Sequence, residues 1–300
     1  MKFISSLKTS ITFALLFFFS SVFSQNANIW YFGDHCGVDF NSGFPVAILD
    51  GQTNHNEGVA TICDDLGALL FYTDGIQVWN KNHNVMPNGS GLMGDWSSTQ
   101  SSICIPKPGS TTIFYIFTVD VLGGTDGMRY SEVDMSLDGG NGDVTASKNV
   151  LLQLDVQEKV TAVTQSNGID YWVATQDEAS NAFYIFSVTA SGVAFDHSDN
   201  VGTGPAFLAD APGYLKFSPD GTKLAIAYQS SAFVELYDFS TVTGVASNPI
   251  TFPAVLVDGF YYGTYGIEFS PDNSKLYATI EVPGVIHQWD LNAGSPAAII

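Results

Sequence analysis

Positive charge is scarce in this chain. Ten lysine and arginine residues stand against 30 aspartates and glutamates in 300 residues, a formal net charge of −20 at pH 7, and Arg129 is the one arginine. Binding a phosphate backbone needs clustered Lys and Arg, so a nucleic-acid partner is excluded. Helical periodicity is also missing: after residue 24 no apolar face recurs at 3.6-residue spacing, which predicts very little helix. No later apolar run is long enough to span a bilayer. The sequence has no nucleophile elbow, Walker loop, dinucleotide fingerprint or zinc-protease helix, and this removes the catalytic classes that local motifs announce. His35, His55, His83, His197 and His287 are too far apart for a sequence-local metal pair. Cys36, Cys63 and Cys104 are the only cysteines, and an odd count leaves at least one thiol unpaired in a monomer. Three free buried thiols are favoured over one bridge, because Cys63 and Cys104 each end an expected strand where a thiol acts as a small hydrophobe.

What the chain does contain is a repeat. Phe217-Ser218-Pro219-Asp220-Gly221-Thr222-Lys223-Leu224 returns 52 residues later as Phe269-Ser270-Pro271-Asp272-Asn273-Ser274-Lys275-Leu276. Period-2 alternation on both sides of each copy marks a strand, a tight turn and a second strand. Proline sets φ, and the Asp-Gly or Asp-Asn pair tolerates the left-handed conformations such a turn needs. Tyr237-Asp238 and Trp289-Asp290 each follow 20 residues after the leading phenylalanine, adding a third strand in register. A period near 50 built of short strands predicts an all-β fold, a β-propeller of four-stranded blades.

Residues 1–24 read as a secretory signal: Lys2 and Lys8 precede an apolar core from Ile11 to Phe23, with small residues before Gln25. Residues 25–300 then form one propeller domain. Asn28 to Gly33, Gly37 to Phe40 and Phe44 to Leu49 look like the outer half of a blade. Full units begin at Gly58, Ser101, Val160, Tyr214 and Gly266. Counting strands gives about five full blades plus this half blade, out of six or seven in an intact ring. Outer strands at one end need inner partners from the other, so the sequence reads as truncated at its C-terminus.

His55-Asn56-Glu57-Gly58-Val59-Ala60, Leu70-Phe71-Tyr72-Thr73-Asp74-Gly75, Val78-Trp79-Asn80, Met86-Pro87-Asn88-Gly89 and Ser97-Ser98-Thr99-Gln100-Ser101 resemble the propeller region of gliding-motility-associated, type IX-secreted bacterial surface proteins. Asp134-Met135-Ser136-Leu137-Asp138-Gly139-Gly140-Asn141-Gly142-Asp143-Val144 fits the same pattern, while the Phe-Ser-Pro-Asp copies are similar to WD-type and lactonase-type propellers. The resemblance implies a secreted or cell-surface protein, extracellular protein or glycan partners, and a role in adhesion or gliding. It also implies a sorting domain for the secretion machinery beyond residue 300.

In a propeller the residues just before each innermost strand meet at the mouth of the central channel. That rule selects His55, Glu57, Thr99, Gln100, Lys159, Tyr214, Tyr262 and Tyr265, a polar and aromatic ring suited to a ligand. The leading expectation is non-catalytic recognition, with no catalytic residue and no cofactor. The alternative is a hydrolase or lactonase with a calcium ion in the channel, for which Glu57, Gln100 and Glu268 are the candidate oxygen donors. Asp138 to Asp143 lacks the closing bidentate Glu of a helix-loop-helix calcium site, so it reads as a solvated turn. Trp79, Tyr130, Trp172, Tyr184, Tyr237 and Trp289 fall on second or third strands and are expected to pack between blades.

Overall fold

The computed structural model describes residues 27–253, 256–257, 260–261, 263–280 and 284–299. The proposed signal, residues 1–24, therefore lies outside the described residues, as does Tyr262. The chain is a β-propeller of six small antiparallel blades, and among the described residues there is almost no helix beyond the four-residue turn Pro296–Ile299 and three short 3-10 turns. Among the described residues no helix is long and apolar enough to cross a membrane.

The innermost strands of blades two to six are Ala60–Cys63, Ser102–Pro106, Thr161–Thr164, Leu215–Phe217 and Thr264–Phe269. Each lies within two residues of the unit start read from the sequence. Blades two, four and five have four strands, and the outer edge of blade three is shared by Asp143–Val144 and Val150–Gln153. Blade one differs from the expected outer half. Ile29–Phe32, Cys36–Asp39 and Val46–Ile48 form a three-stranded sheet of their own. Its first strand is held beside blade two by the Tyr31 backbone N–H, which donates to Thr61 Oγ1 at 3.1 Å. Blade six also has three described strands, followed by the helical turn Pro296–Ile299.

The repeated turn explains itself atom by atom. The Ser218 hydroxyl donates to Asp220 Oδ1 at 2.7 Å and accepts the Lys223 N–H, while Asp220 Oδ1 also accepts the Thr222 N–H. Ser270, Asp272, Ser274 and Lys275 repeat these bonds. Gly221 and Asn273 take the left-handed conformation, at φ 72° and 61°. Asn273 Oδ1 accepts the Asp220 N–H, so the two turns touch across the blade boundary. The lysine after each turn pairs with the aspartate of the third strand: Lys223 with Asp238, and Lys275 with Asp290 at 2.7 Å.

Alternation along each strand sends one set of side chains to the preceding blade and the other to the next. Phe71 and Val78 meet Phe114 and Ile116; Phe117 and Val119 meet Val173 and Phe186; Phe183 and Ile185 meet Leu224 and Tyr237. All six aromatics singled out above sit in these interblade clusters. The cysteines are free, as favoured, but Cys63 alone is buried, with Cys36 and Cys104 partly exposed. The Asp138–Gly140 turn is exposed and docks on blade two, where Lys81 Nζ donates to the Gly140 carbonyl and Asp143 accepts from Asn88.

Candidate functional site at the channel mouth

The segment between blades two and three crosses the centre of the ring. Gln100 binds the Leu215 backbone with both ends of its amide, accepting the N–H at 2.8 Å and donating to the carbonyl at 3.1 Å. Thr99 Oγ1 accepts the Gly213 N–H at 3.1 Å and donates to Glu158 Oε1 at 2.6 Å. Gly58 lies so close beneath this segment that a Cβ would stand 2.4 Å from the Ser101 nitrogen, which requires glycine there.

Glu158 is the residue the sequence reading missed. It is buried, Oε2 accepts the Leu122 N–H at 3.0 Å, and Oε1 accepts from the Thr99 backbone and hydroxyl. Burial raises its pKa above the usual carboxylate value, and these hydrogen bonds oppose the shift. Glu57, Glu158, Leu122, Pro212, Gln229 and Tyr265 line a cavity of about 180 Å³. Tyr265 hydrogen-bonds with Thr99 and Glu57, and burial drives its hydroxyl pKa up. None of the described residues lining this cavity is basic.

Of the ring read from the sequence, Glu57 and Tyr265 come together here. Thr99 and Lys159 are fully buried and Gln100 spends its amide on Leu215, and none of the three lines the cavity. His55 is buried outside the lining, its pKa lowered mainly by burial, with Nδ1 accepting the Glu57 N–H. Tyr214 packs beside Tyr265, ring centroids 6.0 Å apart. Of the candidate calcium donors, Gln100 is engaged as above, Glu268 pairs with Lys216 at 2.8 Å and Glu57 lines the cavity. Among the described residues no group of three His, Cys, Asp or Glu side chains is placed to hold a metal ion.

Lys159 anchors the hub. Its Nζ donates to Gln157 Oε1 at 2.6 Å and to the carbonyls of Asp210 at 2.8 Å and Ala227 at 2.6 Å, and it stands over the Tyr228 ring. Burial pushes its pKa down to about 7, against the pull of Asp210 and Glu158. A lysine with a lowered folded-state pKa binds fewer protons folded than unfolded once the pH passes that value. The cost of burying its charge is therefore full below about pH 7 and is relieved as the pH rises toward 10.5. Stability should climb more steeply from about pH 7 to 9 in the wild type than in Lys159→Met, measured by denaturant midpoints; parallel profiles would contradict this assignment.

No protein-family model matches the chain, and no curated protein matches it. Solved structures do. A protein from Lactobacillus plantarum is 14% identical with a TM-score of 0.55, covering 86% of this chain and 74% of that one. A candidate 6-phosphogluconolactonase from Bacteroides fragilis is 13% identical with a TM-score of 0.52, covering 92% and 80%. The Cps50 (Swd1) β-propeller domain of Myceliophteria thermophila is 11% identical at 0.54, covering 91% and 83%. At these identities the likeness establishes the shared propeller fold.

Proposed function

We propose that this propeller binds a small, neutral, polyhydroxylated ligand at the channel mouth and acts on it as a sugar-lactone hydrolase. The observation that carries the reading is the cavity itself: two glutamates and a tyrosine line it together, with no basic side chain among them. Carboxylates accept hydrogen bonds from sugar hydroxyls, and a tyrosine offers both a donor and a ring face. A lining carboxylate is also the kind of base that takes a proton from an attacking water. The fold shared with a candidate lactonase supports the same chemistry. Two carboxylates facing one small space repel a phosphate, so a neutral lactone should be preferred over its phosphorylated form.

The test is hydrolysis of gluconolactone and of its 6-phosphate, followed by acid release, with and without added calcium. The neutral lactone should turn over faster, and Glu57→Gln should lose about tenfold or more in kcat/KM, as expected for a hydrogen bond to a charged group. Preference for the phosphorylated lactone would sink the proposal. A second reading, recognition of a glycan without turnover, rests on the same lining, whose carboxylates and tyrosine can hold sugar hydroxyls with no chemical step. Binding of a neutral sugar that depends on Glu57, with no hydrolysis, would select it. Export to the cell surface, and the gliding or adhesion role that the sequence resemblance implies, belong to this second reading.

A further inference from the structure

A second cavity adjoins the first. Tyr265 lines both the acidic cavity and a cleft of about 420 Å³ formed by Tyr214, Ile267, Tyr277, Thr279 and Ile286. The cleft runs from Tyr214 and Ile267, which belong to the cluster between blades five and six, onto the face of blade six opposite that cluster, where Tyr277, Thr279 and Ile286 lie. On strand Lys275–Ile280, Leu276, Ala278 and Ile280 are buried, the first two of them in the cluster shared with blade five, while Tyr277 and Thr279 occupy the opposite face.

The 52-residue repeat shows how this face departs from interblade packing. In blade five the corresponding positions are Ala225, Ala227, Val234 and Leu236, all buried against blade six. In blade six they are Tyr277, Thr279, Ile286 and Gln288. Three of the four carry a polar tip, and Ile286 is 69% exposed. Small and aliphatic side chains suit sheet-on-sheet contact, whereas an apolar floor with the hydroxyl tips of Tyr277 and Thr279 suits a small molecule. The Lys216–Glu268 ion pair lies beside the cleft, since Glu268 is among its lining residues.

We propose that the two cavities form one bipartite site, whose ligand is an amphipathic sugar or lactone: a neutral polar ring in the acidic cavity and an aliphatic substituent along Tyr277 and Ile286. Tyr265 joins the halves: it lines both, and its hydroxyl is hydrogen-bonded with Glu57 in the acidic one. The polar half of this proposal rests on the reading of the acidic cavity given above; the apolar half rests on the cleft alone.

Titration calorimetry with methyl, butyl and hexyl glucosides tests both halves. Wild-type affinity should rise with chain length, by about fourfold per buried methylene. Ile286→Asp, and Ile286→Trp as a variant that fills the cleft without adding charge, should abolish the rise while leaving methyl glucoside binding unchanged. Glu57→Gln should weaken all three glucosides by the same factor. Ile286 is exposed, so both variants are expected to keep the wild-type melting temperature. Equal affinity for the three glucosides in the wild type overturns the bipartite site and leaves the polar reading standing. If methyl glucoside does not bind but hexanol does, and Ile286→Asp removes that binding, the apolar half is supported and the polar reading falls. If no probe binds, both are overturned.

Discussion

Replacing Tyr72 with alanine should lower the unfolding free energy by about 3–5 kcal/mol, the range for losing a large buried aromatic side chain, and should release blade one before the rest of the ring. Tyr72 has no exposed surface and joins two sheets. Its ring stacks on Trp79 at 5.4 Å between centroids and packs on Tyr31 of blade one at 4.4 Å. Its hydroxyl accepts the Gln52 N–H at 3.1 Å and lies 3.1 Å from His83 Nδ1. The cluster holding blade one to blade two consists of Tyr31, Tyr72 and Trp79, with Ile29, Ile48 and Leu69 packed around them. Removing its centre leaves a cavity at the boundary and takes away the middle of its apolar contact, so that blade one is held chiefly by polar links such as Tyr31 to Thr61 and Asn41 to the Gly67 carbonyl. Hydrogen exchange in residues 29–48 of Tyr72→Ala should rise toward the unprotected rate while blades three to five keep their protection. A uniform loss of protection would show that blade one does not open separately.

An effect of similar size is expected at Glu235, for an electrostatic reason. The side chain is fully buried, and its oxygens accept from the Thr203 N–H at 3.0 and 3.1 Å, the Thr203 hydroxyl at 2.7 Å, the Thr251 hydroxyl at 3.0 Å and the Tyr237 hydroxyl at 2.5 Å. Glu235→Ala strands these donors in a space that excludes water, at a cost of about 3–5 kcal/mol, comparable to breaking a buried charged pair. Glu235→Gln keeps the volume but turns an amide N–H₂ toward donors, so its melting temperature should fall between those of the wild type and Glu235→Ala. A near-neutral Glu235→Ala would mean that water replaces the carboxylate.

The propeller was legible because its signals are local. The Phe-Ser-Pro-Asp turns, the alternation around them and the 52-residue offset are written in consecutive residues, and they place five innermost strands to within two positions. The same logic put Glu57 and Tyr265 near the channel, Glu57 ahead of an inner strand and Tyr265 because it lies at the start of one, Thr264–Phe269, which begins two residues earlier than the sequence pattern indicates. Glu158 was missed. It sits one position before Lys159 and two before the strand start region, in a stretch whose residues show no pattern, and its role comes from Thr99, 59 residues away. Thr99, Gln100 and Lys159 were placed at the centre correctly, but local sequence does not reveal that their polar atoms are taken up by Gly213, Leu215 and Asp210. Blade one was misread as an outer half because its strands lack the repeated turn, and only Tyr31 and Tyr72 together show where it docks.

The segment that crosses the ring also sets an order on assembly. Gln100 is bound to Leu215 across 115 residues of sequence, so its partner has not been made when blades two and three leave the ribosome. Until blade five exists, the Gln100 amide has only water to bind, and the entropy of closing so long a loop must be met before its bonds to Leu215 form. The periphery of each blade, built from hairpins between neighbouring strands, is free to form early. The centre, where the candidate ligand cavity lies, is then the last region to become solid.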